Sequence, residues 1–185
     1  TASGGPPNMD KMDITIYGGD VVTTPPTPTP SETPEPTRTP AGYTPGPIQD
    51  IVEGAEPIGM AVVNDNGLES TTGGGDGEVV IARTASELAD YASREEPLYI
   101  IVEGTLSGGS VEINSNKTII GAGSGATLDN VPMTIITEQN VIIRNLYMYG
   151  AGEDALGSRY HSHHVWIDHC DVSNCGDGLI DIIRE

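Results

Sequence analysis

A short apolar run bracketed by asparagine or histidine recurs in this chain at a fixed interval. It reads Asn116-Lys117-Thr118-Ile119-Ile120-Gly121, then Asn140-Val141-Ile142-Ile143-Arg144-Asn145-Leu146, then His164-Val165-Trp166-Ile167-Asp168-His169-Cys170. The steps from Asn116 to Asn140 and from Asn140 to His164 are both 24 residues. A period in this range marks stacked repeats rather than one mixed core. Each unit is shorter than the roughly 30 residues that a βαβ crossover needs. One coil of a parallel β-helix per repeat is the fold that fits, so the expected class is all-β. Ile119, Ile143 and Ile167 then occupy equivalent positions and should stack as an inward ladder. Gly121, Asn145 and His169, two residues further on, should mark the turns.

The stacking carries a chemical consequence. Asp154 and Asp177 lie 23 residues apart, close to one coil. Neighbouring rungs of a parallel sheet stand about 4.8 Å apart. Two carboxylates held that close repel unless a cation lies between them. Gly176 and Gly178 flank Asp177 and give the backbone freedom to turn there. The competing reading is a set of ordinary solvated turn residues.

Charge narrows the partners. With 27 acidic against 8 basic residues and a net charge of −19, nucleic acid is excluded as a partner. No run of 18 or more apolar residues is present, so no membrane-spanning helix is expected. Phe is missing while Gly numbers 24, a balance that suits turn-rich β structure. Cys170 and Cys175 are the only cysteines. They read as small core-facing hydrophobes, with a local disulfide as the alternative in a secreted protein. His161, His163, His164 and His169 fall within nine residues. Strand alternation sends His163 and His164 to opposite faces. That spacing argues against a zinc site, and 161–164 read as loop.

Three regions follow from local composition. Residues 23–47 hold nine prolines and eight threonines. Such a segment stays extended and polyproline-like, a semi-rigid spacer open to O-glycosylation outside cells. The spacer is assigned to 20–50. Before it, Met12, Ile14 and Ile16 alternate as a single strand, which cannot stand alone. Residues 1–19 therefore read as the last strand of a truncated β-sandwich, and they resemble the end of a carbohydrate-binding module. After it, 51–185 reads as the first part of the β-helix. Glu78–Ala82 is an expected strand. Thr84-Ala85-Ser86-Glu87 has capping-box spacing, and a helix is expected over 85–95, stopped by Pro97. A short helix there would cap the apolar bore of the solenoid. The chain begins at Thr1 and stops at Glu185 within an expected strand, so it reads as a piece of a longer polypeptide.

The repeat strands together with Asp154-Ala155-Leu156, Val165-Trp166-Ile167-Asp168-His169 and Asp177-Gly178-Leu179-Ile180-Asp181 resemble the extracellular pectate lyases. Thr71-Thr72-Gly73-Gly74 and the strand and helix from Glu78 to Tyr91 are similar too, so the resemblance covers about 58–185. It implies a right-handed parallel β-helix that cleaves polygalacturonate (pectate) by calcium-assisted β-elimination. It further implies a secreted, extracellular protein, expected to be monomeric, with the polysaccharide as partner and neither nucleic acid nor membrane. Asp154, Asp177 and Asp181 match the family's calcium positions, which makes Ca²⁺ the expected cofactor. Many members carry another carboxylate two residues before the position of Asp154; Gly152 stands there, so the fourth ligand is open. The family's catalytic base is an arginine beyond Asp181 that Arg144, Arg159 and Arg184 do not match. The base is thus expected outside this chain, and the piece alone is expected to turn over substrate poorly. His169 with Asp168 matches a structural motif in which the imidazole is buried. Two rivals stay open: a pectin lyase acting without calcium, and a non-catalytic β-helix that binds carbohydrate or serves as an adhesin.

Overall fold

The computed structural model describes residues 56–183. The expected module end at 1–19, the spacer at 20–50, and residues 51–55 and 184–185 lie outside the described residues. In chain order the elements are β1 (Glu78–Ala82), α1 (Ala85–Ala92), β2 (Leu98–Val102), β3 (Thr105–Ser107) and β4 (Val111–Glu112). Then come β5 (Lys117–Gly121), β6 (Ala126–Asp129), β7 (Met133–Ile136), β8 (Gln139–Arg144) and β9 (Leu146–Tyr149). The chain continues through β10 (Leu156–Arg159), β11 (His163–Asp168), β12 (Asp171–Ser173) and β13 (Ile180–Ile183).

These strands wind into three parallel sheets, ordered β1-β2-β5-β8-β11, β4-β7-β10-β13 and β3-β6-β9-β12. Each successive coil adds one strand to each sheet, giving a right-handed parallel β-helix of about five turns. The expected isoleucine ladder is present and longer than the repeat revealed. Register pairs Val80 with Ile100, Ile100 with Ile119, Ile119 with Ile143 and Ile143 with Ile167. Ile100, Ile119 and Ile143 are fully buried, and Ile167 packs half-buried against the same core. The two earliest steps of the ladder are shorter than 24 residues, which hides those coils from a search for one fixed period.

Polar repeats bracket the apolar ladder. Asn116, Asn140 and His164 all have left-handed backbone, with φ of 60°, 60° and 52°. Asn145 and His169 do as well, so these two are turns as expected, whereas Gly121 is the last residue of β5 and has no left-handed φ. Asparagine tolerates this region better than most residues because its short amide can bond locally. Asn140 is buried, and its Nδ2 donates to Asn116 Oδ1 at 2.8 Å on the preceding coil. Its Oδ1 accepts from the backbone N–H groups of Thr72 at 2.7 Å and Gly73 at 2.8 Å. That amide fastens the segment before β1 onto the coils.

The capping helix is built as the spacing predicts, though shorter. Thr84 Oγ1 accepts from the Glu87 N–H, and the Glu87 carboxylate accepts from the Thr84 N–H, so both halves of the box are made. α1 ends at Ala92 rather than 95, where the Ser93 N–H turns back to Ala89 O. Leu88 and Ala92 are fully buried against β1, β2 and β4, closing the first coil.

Three expectations about the histidines are corrected. His163 and His164 open β11 rather than lying in a loop over 161–164. His163 and His164 do not diverge: their Nδ1 atoms are 2.8 Å apart, because the positive φ of His164 breaks strand alternation. His169 is not buried; its side chain is 73% exposed and its Nδ1 lies 2.8 Å from Asp168 Oδ2. A left-handed turn residue at the end of β11 projects its ring outward. Asp168 also bridges Arg144 one coil away at 2.9 Å, and Arg144 lies over the Trp166 ring. Cys170 and Cys175 are free thiols, half-buried against the core. Burial pushes the Cys170 thiol above its ordinary range.

Candidate functional site

The sheet β4-β7-β10-β13 carries the candidate residues. Met133, Ile135 and Leu156 are fully buried, so the alternate positions on these strands face outward. Register aligns Glu112 with Thr134, Thr134 with Gly157, and Gly157 with Asp181. These four residues form one outward column across four coils. Asp154 lies just before β10, and Asp177 and Gly178 lie just before β13.

Asp154 has a defined seat. Its side chain is only 10% exposed, and Oδ1 accepts the backbone N–H of Gly178 at 2.9 Å. The bond explains the glycine. A Cβ at 178 would lie 2.6 Å from that same oxygen, closer than side chains tolerate. Gly176 has a similar reason, since a Cβ there would meet Gly152 O at 2.1 Å. Neither glycine has a left-handed φ. The expectation that they supply turning freedom around Asp177 is therefore corrected: they permit one coil to approach the next. The local offset is 24 residues, Gly152 to Gly176 and Asp154 to Gly178, so Glu153 rather than Asp154 is the register counterpart of Asp177.

The second oxygen of Asp154 meets a cation that matches no position in the family resemblance. Arg159 Nη2 lies 3.5 Å from Asp154 Oδ2, a long ion pair. Both residues border a groove of about 440 Å³, along with Ser110, Thr134, Glu153 and Gly157. The signal available in the sequence was slight: a glycine two residues before an arginine on one strand face.

Asp154, Asp177 and Asp181 thus lie on two adjacent coils at one edge of a single sheet. Among the described residues, no group of three or more His, Cys, Asp or Glu side chains is gathered as a metal cage. As a donor set the three fit a hard cation, offering carboxylate oxygen without sulfur or nitrogen. Among the described residues, Asp154 Oδ2 is held only by the stretched contact with Arg159.

A polar hollow of about 760 Å³ lies elsewhere, bordered by Asp65, Asn66, Ser158, His161 and His163. Its His163 is tied to the neighbouring His164. His164 Nε2 must donate to Val63 O at 2.9 Å, which leaves neutral His164 with an Nδ1 lone pair for the Nδ1–H of His163. Burial, followed by the neighbouring His164, holds the His163 pKa below its ordinary value.

Comparison with known proteins places this geometry. A family model described as pectate lyase matches residues 46–176. The pectate trisaccharide-lyase of Thermotoga maritima is 38% identical over 141 residues, covering 69% of this chain and 38% of the relative. A pectate lyase of Emericella nidulans is 37% identical over 137 residues, covering 68% of the chain and 40% of the relative. Among solved structures, the pectate lyase of Bacillus sp. N165 in complex with trigalacturonate superposes with a TM-score of 0.55 and 27% identity. That match covers 62% of this chain and 41% of the solved one. The chain spans about two fifths of the length of the curated relatives it matches.

Proposed function

The chain belongs to the pectate lyase family, and from that premise we propose that it forms part of a secreted, extracellular polysaccharide lyase acting on polygalacturonate by calcium-assisted β-elimination. The observation that carries the reading is the seat of Asp154. A nearly buried carboxylate accepts a backbone N–H from the coil that bears Asp177 and Asp181, at the edge of an open groove. A purely structural β-helix has no need to hold carboxylates from adjacent coils at one such edge.

In this reading Asp154, Asp177 and Asp181 are the residues that would hold Ca²⁺. A calcium ion held by these residues would supply charge withdrawal from a substrate carboxylate, which would acidify the neighbouring C5 proton. The chain's own residues supply the rest. The Gly178 N–H fixes the orientation of Asp154. The column from Glu112 through Thr134 to Asp181 gives an extended polymer a straight, rigid edge to lie against. The protein's charge of −19 would repel an anionic polymer, so a local cation is what makes binding possible. Residues 1–19 as the end of a carbohydrate-binding module and 20–50 as a spacer complete the proposed organisation, with a monomer as its unit.

The test is the rate of unsaturated product formation by the intact protein on demethylated polymer, with calcium and with chelator. Calcium-dependent product supports the reading, and Asp181→Ala should remove most of that activity while leaving stability within about 0.5 kcal/mol, as for a surface site. Turnover of methylated polymer that chelator leaves untouched would point to the calcium-free lyase instead.

A further inference from the structure

We propose that Arg159 is a specificity-determining residue of this groove: its guanidinium, which rests on Asp154, takes the carboxylate of a de-esterified uronate ring. The proposal rests on the reading that the groove accepts polygalacturonate.

The strand pattern places the cation. β10 turns Leu156 and Ser158 inward and leaves Gly157 and Arg159 outward. In the column of Glu112, Thr134, Gly157 and Asp181, position 157 alone has no side chain, and Arg159 leans back into that space. A Cβ at 157 would meet Arg159 Nε at 3.3 Å and Nη2 at 3.7 Å. Glycine is therefore what lets the arginine lie flat along its own strand, at the wall of the groove.

The arginine is poorly satisfied in that pose. Its contact with Asp154 is 3.5 Å, whereas a well-made guanidinium–carboxylate bond is about 2.7–2.9 Å. Its Nε–H is buried and has no acceptor among the described residues. Nε and Nη2 form the edge of the fork that binds a carboxylate through two parallel bonds. Here that edge is engaged at one corner, and loosely. A residue serving only as the counter-ion of Asp154 would close on it; this one keeps its fork largely unspent. Its side chain is 35% exposed, so the guanidinium can turn toward the groove.

Charge gives the choice of ligand. Among the described residues lining this groove, Arg159 is the one cation, facing Glu153 and Asp154. A free uronate offers a planar anion that matches the fork, while its methyl ester offers neither the charge nor the second strong acceptor. When Asp154 turns to its own cation, the arginine is released to the sugar. Arg159 therefore also competes with metal for Asp154.

The experiment is isothermal titration of the intact protein with trigalacturonate and with its methyl-esterified counterpart, in wild type, Arg159→Lys and Arg159→Gln. Thermal melting verifies that each variant is folded. We expect R159Q to weaken trigalacturonate about ten- to hundredfold and the ester less than about twofold, with R159K between. Calcium alone should bind R159Q at least as tightly as wild type, and in lyase assays KM should rise more than kcat falls. Equal losses for acid and ester, no loss for either, or a wild type that binds no trigalacturonate would overturn the proposal. An active lyase whose R159Q form prefers acid to ester as strongly as wild type does would overturn this inference alone. A protein that binds trigalacturonate through Arg159 yet forms no unsaturated product would overturn the lyase reading and sustain this one.

Discussion

Gly178→Ala tests whether the seat of Asp154 is built as described. A Cβ at 178 would stand 2.6 Å from Asp154 Oδ1, so the carboxylate must retreat by roughly half an ångström or more to reach ordinary contact. That movement stretches the 2.9 Å bond from the Gly178 N–H beyond useful length. A hydrogen bond to a charged group contributes about 1.5–3 kcal/mol, and alanine recovers about 0.4–1 kcal/mol by restricting the unfolded chain. The net expectation is a loss of about 1–2 kcal/mol in denaturant unfolding. Asp154→Ala removes both the acceptor and the clash. In that background Gly178→Ala should cost little, giving a coupling energy of about 1.5–3 kcal/mol across the double-mutant cycle. Gly178 has no left-handed φ that would penalise alanine by itself. If Gly178→Ala costs the same with and without Asp154, the glycine serves some other contact and the reasoning fails.

Other outcomes follow from the same geometry. Asn140→Ala should destabilise by about 2–4 kcal/mol, because it strands the buried N–H of Gly73 and the half-buried N–H of Thr72; hydrogen exchange should show residues 71–75 loosening first. His163 has a folded pKa below its unfolded value, so the unfolded chain binds more protons on acidification. Its contribution is therefore fully present above about pH 6.5 and lost as pH falls through the lower folded value, which NMR titration of the imidazoles would follow. Limited proteolysis should cut within 23–47, near Arg38, before it cuts the coils. Protection there equal to that of the coils would count against the spacer.

The fold was legible because a β-helix writes its cross-section into the chain at a near-constant interval. Ile119, Ile143 and Ile167 carried that signal, and the asparagines at the bends confirmed the phase. The coils of Val80 and Ile100 escaped because shorter turns change the period while leaving the register intact. The carboxylates were legible as residues but not in register. A one-residue difference between spacings of 23 and 24 decides whether Asp154 faces Asp177 or Gly178, and only the stacking of Gly152 on Gly176 settles it. The glycines beside Asp177 suggest conformational freedom, whereas the constraint is space already occupied, by the Asp154 carboxylate at Gly178 and by the Gly152 carbonyl at Gly176. Arg159 matches no position in the resemblance, so the sequence alone does not single it out. Its importance comes from leaning over Gly157, a contact within one strand that no repeat announces. His164 shows the same limit, since alternation assumes extended backbone and its φ is positive.

The most direct measurement is a crystal structure of the intact protein with calcium and trigalacturonate. The account predicts one calcium held by Asp154, Asp177 and Asp181, each with a carboxylate oxygen at about 2.3–2.6 Å, and a uronate carboxylate joining them in the shell. Calcium bound elsewhere, or the three carboxylates remaining more than about 12 Å apart with substrate present, would contradict it.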